Sequence, residues 1–323
     1  MKIVPNAVLE KIVVPADDVG MFRFAERAGR LCWRSQHNIT DGSYVKFLSG
    51  ILEKGHGMVL EFTNVVYHVY DNSQRMLSDM RGRESARYLS LYEGDISNGL
   101  HRTLIGGSVR AWVDFMSDVM RMDLSNCVIA AINSEGKGLD SLIHRIWPEL
   151  KFTRMTSLGD IPLPLLKYAV LFQTDRAVTH EIVRHRTLSH LQESQRYITQ
   201  AGGVEFTHQW WWDSPLIGKR HDLCSSCADW VIASLSETEK LYHRLLQEVS
   251  PEKARGVLPQ VTTARIFSCG SLAHWKHLLG LRTSSRAYAQ FRLLAAEVAH
   301  DFHARGWGGY LPASWIPDVA EMQ

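Results

Sequence analysis

Arg184, His185 and Arg186 put two permanent cations and a titratable ring within three consecutive residues, directly after the apolar Ile182-Val183. With an extended backbone both arginines project to one side, and a bound polyanion best relieves their repulsion. On its own such a triplet is more commonly a solvated basic cluster. What argues for a site is the sequel: after seven intervening residues comes Ser194, then Arg196-Tyr197, with Gln192 and Glu193 just before. No base stands beside Ser194 in this run to activate it. It therefore reads as a hydrogen-bond donor to phosphate or ribose rather than a nucleophile, with a turn-capping serine as the plain alternative.

The stretch Arg184 to Tyr197 resembles the defining motif of flavin-dependent thymidylate synthases: Arg-His-Arg, seven residues, Ser, then Arg-Tyr. Upstream, Asp175-Arg176-Ala177-Val178-Thr179-His180-Glu181 is similar to the run preceding the motif in one branch of that family. Further landmarks follow in family order: Gly55-His56 and Leu60-Glu61, then Ala254-Arg255-Gly-Val-Leu-Pro259, then Trp275 to Ser284 with His277 and Arg282 inside. The resemblance covers about residues 40–72 and 165–300.

By position, the resemblance implies that Arg184, His185 and Arg186 hold a flavin and its phosphates, with His56, Gln192 and His277 in the same cofactor cleft. Glu181, Arg184, Gln192, Glu193, Ser194, Arg196 and Arg255 would bind a nucleotide, with Arg196 and Arg255 on its phosphate. Arg282 would lie against the pyrimidine as the catalytic residue. A guanidinium cannot act as a base near neutrality, but a positioned one lowers the cost of an enolate-like uracil with a nucleophilic C5. Taken alone, Arg255 and Arg282 would be surface ion-pair residues, and only their places in the motifs lift them above that.

The activity implied is reductive C5 methylation of dUMP to dTMP with FAD, methylenetetrahydrofolate and NADPH, in a cytoplasmic homotetramer whose active sites combine subunits. Two alternatives stay open. One is a methylase of UMP, or of both UMP and dUMP, or a hydroxymethylating variant; Glu181 could accept hydrogen bonds from both hydroxyls of a ribose. The other is a non-catalytic nucleotide- or RNA-binding protein that keeps the basic cleft. No metal site is assigned.

The chain also departs from the family pattern. Ser271-Leu272-Ala273 stands where many relatives have Asn-x-Arg, removing one amide and one cation near the cofactor. A similar run, Gly107-Ser-Val-Arg110-Ala-Trp112, could return an arginine from elsewhere in the fold, though such a short match commonly marks only a helix start. Tyr288 and Phe62 each replace a common histidine.

The 323 residues, 45% hydrophobic and 22% charged, describe an ordinary globular protein with enough chain for a sizeable core. A net charge of +2 does not favour a nucleic-acid or membrane partner, so any anion site is local. No apolar run approaches a bilayer span, and the five cysteines make a poor disulfide framework. Cys224-Ser-Ser-Cys227, with His208 and His221 upstream, lacks a second ligand pair and reads as incidental thiols.

These residues need a scaffold, and the periodicity predicts an α+β fold over residues 1–323: an antiparallel or mixed sheet flanked by helices, with a mostly helical insertion at about 73–165. Helices are expected at 43–54, 109–122, 139–150, 231–249, 272–281 and up to Gly306, with a short one opening at Ser250-Pro251. Strands are expected at 61–70 and 166–172, as neighbours in one sheet. Trp210-Trp211-Trp212 reads as a loop anchored by aromatics. Ser73-Gln-Arg75 and Ser85-Ala-Arg-Tyr88 faintly echo Ser194-Gln-Arg-Tyr197, too weakly to define a repeat.

Overall fold

The expected α+β architecture is present. The computed structural model describes residues 1–70, 74–95, 101–124, 126–127, 129, 132, 137–212 and 227–311. Cys224 and His221, and the side chain of Cys227, lie outside the described residues.

Its centre is an antiparallel sheet built on the two long strands β7 (Lys167–Asp175) and β10 (Thr263–Ser271). The edge strands β2 (Ala7–Val13) and β8 (Ser189–Gln192) complete the order β2-β7-β10-β8. The register pairs Thr263 with Asp175 at one end and Ser271 with Lys167 at the other. Almost all of β7 is buried, because both faces are covered. Tyr168, Val170 and Phe172 pack with α6 (Arg176–Ile182), α9 (Leu272–Arg282) and α10 (Ala289–Ala304). Ala169 and Leu171 share the opposite core with Phe24, from α1 (Asp18–Leu31), and Phe62. That double burial is why the strand reads as an unbroken apolar run instead of an alternating one.

The early strand, β3 (Val65–Val69), does not neighbour β7 as expected. It belongs to a second antiparallel sheet of order β4-β5-β3-β6, with β4 (Ser90–Asp95), β5 (His101–Gly107) and β6 (Phe152–Met155). The intervening stretch thus adds three strands to its helices, α3 (Gln74–Arg81), α4 (Val109–Met120) and α5 (Lys137–Ile146). Apolar content marked β3 and the 167–175 segment as strands, but it carries no information about which strand pairs with which. A short parallel pair joins β1 (Lys2–Val4) to β9 (Glu205–Thr207).

The predicted helices form close to their expected limits: α2 (Ser43–Leu52), α4, α5, α9 and α10, with α7 (Cys227–Glu248) and the one-turn α8 (Pro251–Ala254) between. The expected strand at 61–70 begins late, because Gly57–Phe62 winds as a 3-10 turn. Trp212 is fully buried and packs edge-on to Trp211, anchoring its loop, while Trp210 stays exposed. No described helix is long and apolar enough to cross a membrane.

Phe267 sits where the sheet meets α1, edge-on to both Phe24 and Phe62 and 1% exposed. Phe267→Ala should therefore cost about 3–5 kcal/mol in urea unfolding. A loss under about 1 kcal/mol would mean that the site collapses around the smaller side chain.

Candidate functional site

Two helices leave opposite ends of the β7–β10 pair and run back over the same face. α6 starts where β7 ends: the Asp175 carboxylate accepts from Val178 N at 2.8 Å and from Gln209 Nε2 at 2.9 Å. α9 starts where β10 ends and is pinned by Trp275, whose indole nitrogen donates to the Tyr168 carbonyl at 2.7 Å. Their C-terminal ends meet. Arg282 at the end of α9 donates to the Glu181 carboxylate at 2.5 Å and to His185 Nε2 at 2.8 Å, and its guanidinium lies over the Phe291 ring. Residues a hundred positions apart in the chain thereby form one cluster.

His185 is the buried member of its triplet, 6% exposed, with its ring edge-on to His277 and Phe291. Burial, and then the Arg282 charge, hold its pKa down to about 4. The contact agrees with that, since Nε2 can accept from Arg282 only when it carries no proton. His190, on β8, is likewise held down to about 4 by burial. Its Nε2 faces the His185 carbonyl at 3.2 Å and its Nδ1 faces Ser268 Oγ at 3.0 Å. A neutral ring donating from Nε2 and accepting at Nδ1 satisfies both contacts.

The triplet itself is not extended. Residues 183–187 form turns after α6, with Arg186 N bonded to the Arg184 carbonyl at 3.0 Å. The turn buries His185 and leaves Arg184 and Arg186 exposed. Arg186 lines a cavity of about 550 Å³ whose wall also includes Glu61, Arg87, Arg110, Lys167, Ser271 and His274. Ser271 Oγ and His274 Nδ1 are buried polar atoms with no hydrogen-bond partner. Lys167 Nζ donates to the Glu61 carbonyl at 3.1 Å, and burial lowers its pKa. Arg110 and Ser271 therefore line the same cavity, as the short motif around Arg110 allowed.

The remaining predicted residues fall into three settings. His56 is exposed just before the turn that bears Met58 and Glu61, and His277 is exposed on α9. Gln192 donates to Thr179 Oγ1 at 3.0 Å, tying β8 to α6. Glu193 is 6% exposed and spends its carboxylate within the protein: Arg34 grips it at 2.8 and 3.0 Å, and Arg265 approaches at 3.3 Å. Arg34 holds that grip from a left-handed backbone with φ of 49°, uncommon for a non-glycine residue. Ser194 Oγ accepts from Arg196 N at 3.3 Å, a turn-capping bond. Arg196 pairs with Glu252 at 2.8 Å. Arg255 bonds its own turn through the Glu252 carbonyl and lies close enough to Arg176 to lower that side chain's pKa together with burial.

Arg176 was not singled out from sequence, nor were His190, Lys167 and His274. Arg176 lay inside a quoted run, but nothing local shows that the fold brings it to Arg255. Two half-buried guanidiniums close enough to act on each other favour a shared anion. Among the described residues no group of His, Cys, Asp and Glu could hold a metal ion.

Residues 160–305 match the family model described as thymidylate synthase complementing protein. This segment is similar to flavin-dependent thymidylate synthases. It is 34% identical over 131 residues to the enzyme of that name from Pyrococcus abyssi (strain GE5 / Orsay), covering 40% of this chain and 51% of that protein. The flavin-dependent thymidylate synthase of Mycobacterium tuberculosis (strain ATCC 25618 / H37Rv) is 33% identical over 138 residues, covering 40% and 54%. The chain thus spans about half the length of the curated relatives it matches. A crystal structure of a UMP/dUMP methylase PolB from Streptomyces cacaoi bound with 5-Br UMP is 24% identical, covering 45% of this chain and 71% of that one. Its TM-score of 0.37 is too low to carry weight. The thymidylate synthase-like segment contains the triplet, Arg282, the Arg176–Arg255 pair and the β7–β10 frame.

The two neutral histidines set a pH dependence. An unfolded histidine takes up its proton near 6.5, whereas His185 and His190 stay neutral in the fold down to about 4. Between those values the unfolded chain binds more protons, so stability falls as pH drops through that window. Urea midpoints should decrease from pH 7 to pH 4.5, and His190→Asn should flatten the decrease. An unchanged slope would remove His190 from this balance.

Proposed function

We propose that the protein catalyses flavin-dependent reductive methylation at C5 of a uridylate, converting dUMP to dTMP. The observation that carries this reading is the Arg282 cluster, with Glu181 and His185 holding the guanidinium by two directed bonds at the end of α9. A guanidinium so placed stabilises negative charge on a uracil ring as N3 gives up its proton, which makes C5 nucleophilic. Neutral His185 favours this, because a second buried cation beside Arg282 would repel it. Arg176 and Arg255 then offer their two charges to the nucleotide's phosphate.

The cavity fits a flavin dinucleotide in its donor set: Arg186, Arg110 and Lys167 supply positive charge, and the unpartnered Ser271 and His274 atoms supply polar contacts. FAD held there and reduced by NADPH supplies a hydride, and methylenetetrahydrofolate supplies the carbon that becomes the methyl group. The remaining work belongs to the protein: His185 keeps Arg282 in place, Gln192 fixes β8 against α6, and the buried Glu193 network holds the start of the Ser194 turn. A cytoplasmic homotetramer completes the reading.

Purified protein incubated with FAD should retain a flavin spectrum and oxidise NADPH when a uridylate and methylenetetrahydrofolate are present. Supplying dUMP and UMP in parallel, with product masses measured, identifies the sugar. Protein that neither retains flavin nor consumes NADPH would overturn the assignment. Arg282→Ala should lower turnover by about 10²–10³-fold while FAD stays bound. Loss of flavin in that variant would move Arg282 out of the pyrimidine site.

A further inference from the structure

The two four-stranded sheets have the same strand order, and three strands of each follow one another along the chain in the same sequence. In the order β4-β5-β3-β6 each strand has a counterpart in β8-β10-β7-β2, and every neighbouring pair is antiparallel. The registers fix the correspondence residue by residue. Val65 pairs with Gly107 as Tyr168 pairs with Gly270, and Ser90 pairs with Gly106 as Ser189 pairs with Cys269. Gly107-Ser-Val-Arg-Ala-Trp112 therefore stands where Gly270-Ser-Leu-Ala-His-Trp275 stands, and Arg87-Tyr-Leu-Ser90 where Arg186-Thr-Leu-Ser189 stands.

Side-chain contacts repeat at these positions. Trp112 Nε1 donates to the Val65 carbonyl at 3.2 Å, and Trp275 Nε1 to the matching Tyr168 carbonyl at 2.7 Å. A Cβ on Gly107 would meet Leu89 Cδ2 at 2.5 Å, and one on Gly270 would meet the matching Leu188 Cδ2 at 2.4 Å. At both glycines a leucine side chain makes the same close approach to the strand. The true register also differs from the echo heard in the sequence: Arg87 corresponds to Arg186, not to Arg196.

The cavity lies between the copies and is lined by matched positions from each, including Arg87 with Arg186, Ser108 with Ser271 and Ala111 with His274. The copies have diverged in complementary ways. Where the later copy has Ala273, the earlier has Arg110; where the earlier has Ala111, the later has His274. Arg110 is half exposed and shares its charge with Asp114 at 3.1 Å, while Gly57 leaves room for its guanidinium, since a Cβ there would approach Nη1 at 2.8 Å.

We propose that residues 57–120 are a diverged second copy of the half that carries the Arg-His-Arg triplet, and that the two copies form one anion-binding cavity per chain in which Arg110 supplies the cation missing at Ala273. The ligand class is a dinucleotide pyrophosphate. Its identification with FAD rests on the proposed function, whereas the anion site does not.

The test is Arg110→Ala, checked for an unchanged thermal melt, against FAD by fluorescence titration and against inorganic pyrophosphate by calorimetry. The wild type should bind one FAD per chain, and the variant should bind it about ten- to a hundredfold more weakly, the worth of a charged hydrogen bond. Wild-type affinity in the variant would overturn the proposal. If the wild type binds no FAD, the flavin reading falls and pyrophosphate decides: binding that weakens in Arg110→Ala supports the shared cavity, and no binding to the wild type overturns it.

Discussion

The antiparallel β7–β10 pairing is the constraint from which the site follows. Its nine paired positions end at Asp175 on one side and Ser271 on the other, and each end launches a helix. Because the strands run in opposite directions, α6 and α9 leave from opposite edges and converge over one apolar face. A slip of one residue would turn Tyr168, Val170 and Phe172 away from those helices and draw Glu181 and Arg282 apart. The pairing is fixed by burial on both faces and by the Trp275 indole, which crosses from α9 to the β7 backbone. Precision in the cluster is thus inherited from main-chain register.

Electrostatics then decides which group carries a proton. Burial, and then the Arg282 charge beside it, push the His185 imidazole neutral. A neutral ring can accept from Arg282 and fix its orientation; a protonated one would do neither. The same logic separates Glu193 from Glu181. Glu193 is saturated by Arg34 and Arg265, which suits a buried carboxylate whose release would leave uncompensated charge. Glu181 remains a third exposed and, among the described residues, has Arg282 as its one arginine partner, so its carboxylate is far less committed.

The sequence made the helices legible, because their apolar periodicity is local and strong. The triplet, Ser194, Arg255 and Arg282 stood out only through resemblance to a family motif, and of these the structure brings Arg282 and His185 together. Pairing was not legible: β3 and β7 are both apolar and strand-like, and nothing local assigns them to different sheets. Nor was the turn at 183–187, where the extended reading of Arg184 and Arg186 ignored the need to end α6 and bury His185. Arg176, Lys167 and His274 escaped notice for a related reason. Each is ordinary in its own segment and becomes unusual only through what the fold brings beside it.

Duplication explains why so little of the first half looks like the second. Strand order, the glycine under a leucine and the tryptophan that bonds the neighbouring strand belong to backbone packing, and loss of either buried tryptophan costs about 3–5 kcal/mol, so both copies keep that frame. Side chains facing the cavity bear no such packing load. One copy could lose its arginine as long as the other kept one, and one could gain a histidine without a counterpart. A repeated frame with an asymmetric lining follows, because a ligand with chemically different ends needs different groups on the two sides of the cavity.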